Sequence, residues 1–368
     1  MVSLYFHVPF CKKKCGYCQF YSIPYTQSNV KKYVKAIKEE WKRKKHLLTN
    51  KKVVSIYLGG GTPSLLPQDA LFEIIPSGVQ AKDDIEITLE ANPRDVTLPY
   101  AKAWKAIGIN RISLGVQSFC NRHLQTLGRQ HTQKHALDAI EMIDHAGIKN
   151  ISVDLMYDIP EQSLKSFKDT LDTLSSLPIS HVSLYNLTLE PSTPFYEKRA
   201  SLKKRMPSPN LSLKLLKMAL EDLEKMGFKR YEISAFCKRD RISKHNIGYW
   251  TNRPFLGFGP AAFSYMDGGR FQNVPDLEVY CQTLFQGNTP IEYSETLNQK
   301  RHKRERLMLH LRLIEGVNLK DFAPLDDATM DILQEKASQG LLDLHFPYCK
   351  LTEKGYLFYD TVAEALVY

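Results

Sequence analysis

Long apolar runs are missing from this sequence. No stretch of about 18 apolar residues occurs, which argues against a membrane-spanning helix. No basic leader stands before an apolar segment either. "MVSLYFHVPFCKKKC" reaches its first cysteine at position 11, so the expected location is the cytoplasm. Thiols stay reduced there, and grouped cysteines bind metal or do chemistry more often than they pair. Low-complexity tracts are also lacking, and the only repetition is a strand-helix unit. A second cysteine pair is lacking as well. Cys11, Cys15 and Cys18 fall within "FCKKKCGYCQF", whereas Cys120, Cys237, Cys281 and Cys349 are scattered singly and read as ordinary buried thiols.

Acidic residues are outnumbered, 40 against 50 basic ones, giving a formal charge of +10. Much of the excess sits in "VKKYVKAIKEEWKRKKHLLTNKK" (30–52) and "QKRHKRER" (299–306). Solvated helix faces explain both runs, and a nucleic-acid surface is the alternative. At 368 residues, one large domain with a smaller one is expected.

Six β-like runs alternate with helical ones: residues 3–8, 53–58, 85–91, 111–117, 151–157 and 181–187. Helical patterns lie near 29–47, 68–76, 97–107, 120–127, 132–146, 163–176 and 211–227, the last with Leu213, Leu216, Leu220 and Leu223 at helical spacing. Repeated strand-helix units call for parallel strands with right-handed crossovers. Strands buried on both faces would be apolar almost throughout. Here one face is apolar and the other carries Tyr5, Glu90, Gln117 and Asp154. That polar set suits the lumen of an α/β fold: an open, partial (βα)6 barrel of TIM type. We expect the barrel over 1–228, a barrel-closing and connecting region over 229–294, and a small winged-helix-like domain over 295–368. In that last domain "RLMLHLRLIEGV" and residues 328–340 form helices.

The spacing of Cys11, Cys15 and Cys18 narrows the chemistry. A structural zinc site takes four ligands, usually as two pairs, and no second pair is near. A disulfide would leave one thiol over. A [4Fe-4S] cluster is held by thiolates, usually four. Three would leave one iron open to a small molecule.

This C-x3-C-x2-C loop after the first strand, with Tyr17 before the third cysteine, resembles the radical S-adenosylmethionine (SAM) superfamily. The string "YFHVPFCKKKCGYCQFYS" narrows the likeness to its coproporphyrinogen oxidase-like branch. "GGGTPS" (59–64), "LEANP" (89–93), "GVQSF" (115–119), "DLMYDIP" (154–160) and "YNLTLEPSTPF" (185–195) join it, so the resemblance spans nearly the whole chain. It implies a cluster on the three cysteines that binds SAM at its open iron and cleaves it when reduced by an electron donor. It further implies that Gly60, Gly61 and Thr62 line the methionine end of SAM and that Glu90 takes its amino group or ribose. Tyr5, Gln117, Arg129 and Asp154 match positions that contact SAM in the oxidase relatives.

Two functions share that branch. The oxygen-independent coproporphyrinogen III oxidases add a cysteine two places after the third and an N-terminal arm of several tens of residues. Here Phe20 holds that place and ten residues precede Cys11. Those features resemble the HemW-type heme chaperones, with heme as cargo and a respiratory protein as its acceptor. An RNA-modifying radical SAM enzyme is the third class, prompted by the basic balance. HemW-type proteins usually carry histidine where "GFGPAAFSY" has Phe263, and glycine where "DLMYDIP" has Asp158. The first departure shifts the heme-ligand expectation to His245 of "KHNIGYW".

Overall fold

A computed structural model describes residues 1–76 and 85–367. The six expected strands are present as β1 (Val2–Val8), β2 (Val53–Gly60), β3 (Glu86–Ala91), β4 (Arg111–Gln117), β5 (Asn150–Tyr157) and β6 (His181–Asn186). They pair in parallel in that order, with Ser3 opposite Ser55, Tyr57 opposite Thr88, Glu90 opposite Ser113, and Asp154 opposite Ser183. One face buries Val2, Leu4, Phe6, Ile56, Leu58, Ile112, Leu114, Ile151 and Val153 beneath the surrounding helices. The other turns Tyr5, Tyr57, Glu90, Ser113, Asp154 and Ser183 inward. The alternation read from sequence therefore marks the lumen.

The helices begin where the sequence offers caps. Thr26 accepts from the Asn29 N–H at the start of α1 (Gln27–Lys44), and Ser163 caps α2 (Leu164–Leu174). Helix α3 (Pro209–Lys225) ends before Gly227, whose φ of 81° closes the turn. Its buried stripe is Leu215, Ala219 and Leu223, while Leu213 is exposed. Of the four leucines expected at helical spacing, Leu223 is buried, Leu216 and Leu220 pack partly buried against the core, and Leu213 alone is exposed.

Residues 229–294 widen the sheet rather than close it. Strand β8 (Ala235–Cys237) pairs antiparallel with β6 and with β7 (Lys229–Glu232). At the opposite edge β9 (Phe255–Phe258) runs parallel to β1 and is followed by β10 (Phe263–Met266), β11 (Gly269–Asn273) and β12 (Ile291–Thr296). The order β12-β11-β10-β9-β1-β2-β3-β4-β5-β6-β8-β7 leaves β12 and β7 as separate edges. A buried ion pair braces the added strands. Glu40 and Lys44 meet at 2.5 Å, Lys44 donates to the Gly257 carbonyl, and Glu40 accepts from Tyr280, Asn273 and the Gly259 N–H.

The C-terminal part has its own core, including Leu307, Leu311, Phe322, Leu333 and Val362. A three-stranded sheet (Val317–Asn318, Leu342–His345, Tyr348–Leu351) packs with helices α4 (Gln299–His310) and α5 (Asp327–Ser338). Helix α4 starts seven residues before the expected Arg306, because Asn298 caps it and the basic run itself is helical. Of those charges Lys300 and Arg304 pair with Asp326, while Lys303 and Arg306 donate to the Pro324 and Asp321 carbonyls. No described helix is long and apolar enough to cross a membrane.

Candidate functional site

The carboxyl ends of the lumen strands open into a cavity of about 520 Å³, within the usual size for a small-molecule site. Cys11, Cys15, Cys18, Tyr17, Gly60, Gly61, Thr62, Glu90, Gln117, Arg129 and Asp154 all line it. The structure thus gathers, from six separate segments, every expected cluster and SAM residue except Tyr5. Tyr5 lies one layer deeper, its hydroxyl 3.1 Å from His7 Nδ1 and its ring stacked on Tyr57.

The cysteine loop is tied at its base by the pairing of Phe10–Cys11 with Ile23–Pro24. All three thiols are free and half-buried. The Thr62 hydroxyl lies 3.5 Å from Cys11 Sγ, and Arg129 Nη1 lies 3.6 Å from Cys15 Sγ. Among the described residues no three His, Cys, Asp or Glu side chains converge on a single ion. Three thiols that line one cavity without converging on a single ion suit a larger cluster better than one tetrahedral metal.

The glycine turn explains the close approach. A Cβ on Gly61 would stand 2.7 Å from the Phe10 carbonyl oxygen, and Gly60 has a φ of 107°. Its N–H donates to Glu90 Oε2 at 3.2 Å, while the Tyr57 hydroxyl donates to Oε1 at 2.8 Å. Burial pushes the Glu90 carboxyl up to about 7. Asp154, with the Ser113 hydroxyl 3.2 and 3.3 Å from its two oxygens, is pushed up to about 6, again by burial. A bulge in β4 and a φ of 68° bring Gln117 to the cavity wall.

Arg129 is held on three sides. Its Nη2 donates to the Gly115 carbonyl at 2.6 Å and its Nε to His131 Nδ1 at 3.4 Å. His131 in turn donates from Nε2 to the Val116 carbonyl at 3.0 Å, so its Nδ1 is free to accept. Burial, then the Arg129 charge, pushes His131 down to about 3, which keeps it neutral. His131 and Tyr57 escaped the sequence reading. Tyr57 was legible in principle, since it shares the polar phase of β2 with Ser55 just before the glycines.

His245 does not line this cavity. It lies in a helix, Lys244–Trp250, beneath the amino ends of the strands, and the Glu86 carboxylate accepts from the Lys244 and His245 N–H groups. Its Nδ1 is 3.0 Å from the Ser55 hydroxyl and its Nε2 is 2.9 Å from the Tyr249 hydroxyl. Ligating iron would require one of these to be given up. Phe263 is 44% exposed on the added strands. Asp158 has a φ of 62°, a conformation glycine adopts freely, and its Oδ2 accepts from Asn186 and Ser212.

The sequence profile of the radical SAM superfamily matches residues 5–174. Along its full length the chain is 32% identical to the heme chaperone HemW of Bacillus subtilis (strain 168), covering 99% of that protein. It is also 32% identical to HemW of Lactococcus lactis, over 98% of this chain and 96% of that one. The chain belongs to the HemW family. Its fold extends further: coproporphyrinogen III oxidase (HemN) from Escherichia coli, titled a radical SAM enzyme, superposes with a TM-score of 0.87 at 23% identity, over 99% of this chain and 89% of that one. The partial barrel with its outer strands is therefore a fold that this chain shares with HemN.

Proposed function

We propose that this protein is a heme chaperone that holds a [4Fe-4S] cluster on Cys11, Cys15 and Cys18, binds SAM beside it, and passes heme to an acceptor protein. One observation carries the reading: three free thiols, a glycine turn and two buried carboxylates share one cavity, in a chain that aligns end to end with heme chaperones. When bound, the cluster and SAM supply one-electron chemistry at the SAM sulfonium, given an electron donor.

The residues have distinct work. Gly60 and Gly61 let backbone groups reach the ligand where a side chain would block it. Glu90 and Asp154 accept from its amino and hydroxyl groups and offset its positive charge. Gln117 and Arg129 supply further polar contacts, while Tyr17 screens the thiols from water. Tyr5 supports Tyr57, which steadies Glu90.

The runner-up is a coproporphyrinogen oxidase, favoured by the likeness of fold to HemN. Phe20 at the place of the oxidase's further cysteine weighs against it. An RNA substrate is disfavoured by the internal ion pairs of the 299–306 run. Anaerobically reconstituted protein, reduced and given SAM, is expected to bind heme, to pass it to a heme-free acceptor, and to leave coproporphyrinogen intact. Conversion of coproporphyrinogen to a decarboxylated product would overturn the chaperone reading.

A further inference from the structure

The cavity is segregated by charge. Its wall carries the carboxyls of Glu90 and Asp154, suited to a cation such as the sulfonium and amino group of SAM. Its mouth carries Lys12, Lys13, Lys14 and Arg94, with Phe20 among them. Lys12 is matched by Asp95 at 2.7 Å. Among the described residues neither Lys13 nor Lys14 forms an ion pair, and Arg94 reaches only the Gln130 carbonyl. A sulfonium or amino group has no use for this rim; a carboxylate does.

Phe20 adds an apolar surface at the same place. It is 59% exposed although the loop that carries it is braced. Tyr25 N–H donates to the Cys11 carbonyl, His7 Nε2 lies 2.9 Å from the Tyr21 carbonyl, and the Tyr21 hydroxyl accepts from Leu277 N–H. The ring thus stands beside cations that no carboxylate of the described residues matches. The ligand it fits has a flat apolar face and carboxylates along one edge.

We propose that Lys13, Lys14, Arg94 and Phe20 form a docking ledge for the heme cargo, its propionates on the three cations and its ring face on Phe20. The assignment rests on the chaperone reading and places the cargo above, not within, the SAM part of the cavity. The ledge needs no iron ligand from the lumen.

The test is a titration of the reconstituted protein with hemin and with hemin dimethyl ester, whose carboxylates are blocked, across salt concentrations. Wild type should bind hemin roughly tenfold more tightly than the ester, and added salt should shrink the gap. The Lys13→Glu/Lys14→Glu variant, and the milder Lys13→Gln/Lys14→Gln, should hold both ligands alike, at the strength wild type holds the ester. Phe20→Ala should weaken hemin and ester equally, by roughly fivefold. Cluster absorbance and circular dichroism report whether each variant is folded. Equal hemin binding by wild type and the lysine variants would overturn the ledge while leaving the chaperone reading intact. If those variants instead lose only reduction by an acidic electron-carrier protein, the rim docks the donor and the ledge is equally refuted. Failure of wild type to bind hemin at all would remove the chaperone reading, and the ledge with it.

Discussion

Replacing Glu90 with glutamine is expected to stabilise the ligand-free protein at alkaline pH while weakening its grip on SAM. Burial holds this carboxyl at about 7, against an ordinary value of 4.5. The raised value means the folded state keeps a proton that the unfolded chain has already lost. Stability from this group therefore falls as pH rises from 4.5 to about 7, and is flat above. Over that window the ionisation cost reaches about 3 kcal/mol. Glutamine avoids it. It keeps one acceptor for the Tyr57 hydroxyl but not a second for the Gly60 N–H, a loss of about 1 kcal/mol.

The variant should thus be less stable than wild type by about 1 kcal/mol at pH 4.5, and more stable by about 2 kcal/mol at pH 8. Urea unfolding of both proteins at the two values measures the crossing. SAM affinity should move the other way. If only the carboxylate holds the ligand, wild type loses about tenfold in affinity between pH 8 and pH 6, and Glu90→Gln is weak throughout. A stability difference independent of pH would refute the reasoning, because it would mean that Glu90 is ionised without penalty in the fold.

Four other substitutions probe the remaining parts. Arg129→Gln should lower the reduction potential of the reconstituted cluster by removing a cation and an N–H donor beside Cys15, and His131→Phe should do the same more weakly; potentiometry reads both, and unchanged potentials would make the Cys15 contact incidental. Gly61→Ala should cost about 1–3 kcal/mol and reduce iron content, since its Cβ meets the Phe10 backbone at 2.7 Å; full iron loading would show that the loop yields. His245→Ala should retain the heme spectrum and cost about 2 kcal/mol, by leaving the Ser55 and Tyr249 hydroxyls short of a partner; loss of heme absorbance with stability unchanged would make it the ligand instead.

The lumen was legible because a parallel barrel strand has two environments and the sequence must serve both. Tyr5, Glu90, Gln117 and Asp154 stood out as polar residues in strict alternation with Leu4, Leu89, Val116 and Val153. The outer strands β7–β12 were not legible. Several are short runs, Phe255–Phe258 and Phe263–Met266 among them, and four residues are too few to display a period. Leu213 misled for another reason. The four leucines at helical spacing mark one edge of the buried face, whose centre runs through Leu215, Ala219 and Leu223, so the outermost of them, Leu213, is left exposed.

The same alternation also separates a sealed lumen from an open one. Toward the amino ends of the strands, Ser3, Ser55, His245 and the Glu86 carboxylate are hydrogen-bonded among themselves and to the Lys244–Trp250 helix. Toward the carboxyl ends, Glu90 and Asp154 are desolvated at the expense of their own ionisation, a cost that hydrogen bonds and Arg111 offset in part and that an incoming cation would offset further. Thr88 Oγ1 and Arg111 Nε, paired across β3 and β4 between the two zones, have no partner within the protein. That orphaned step marks where the packed floor stops. His245 lies on the floor side of it, and the three cysteines, Glu90 and Asp154 lie on the other.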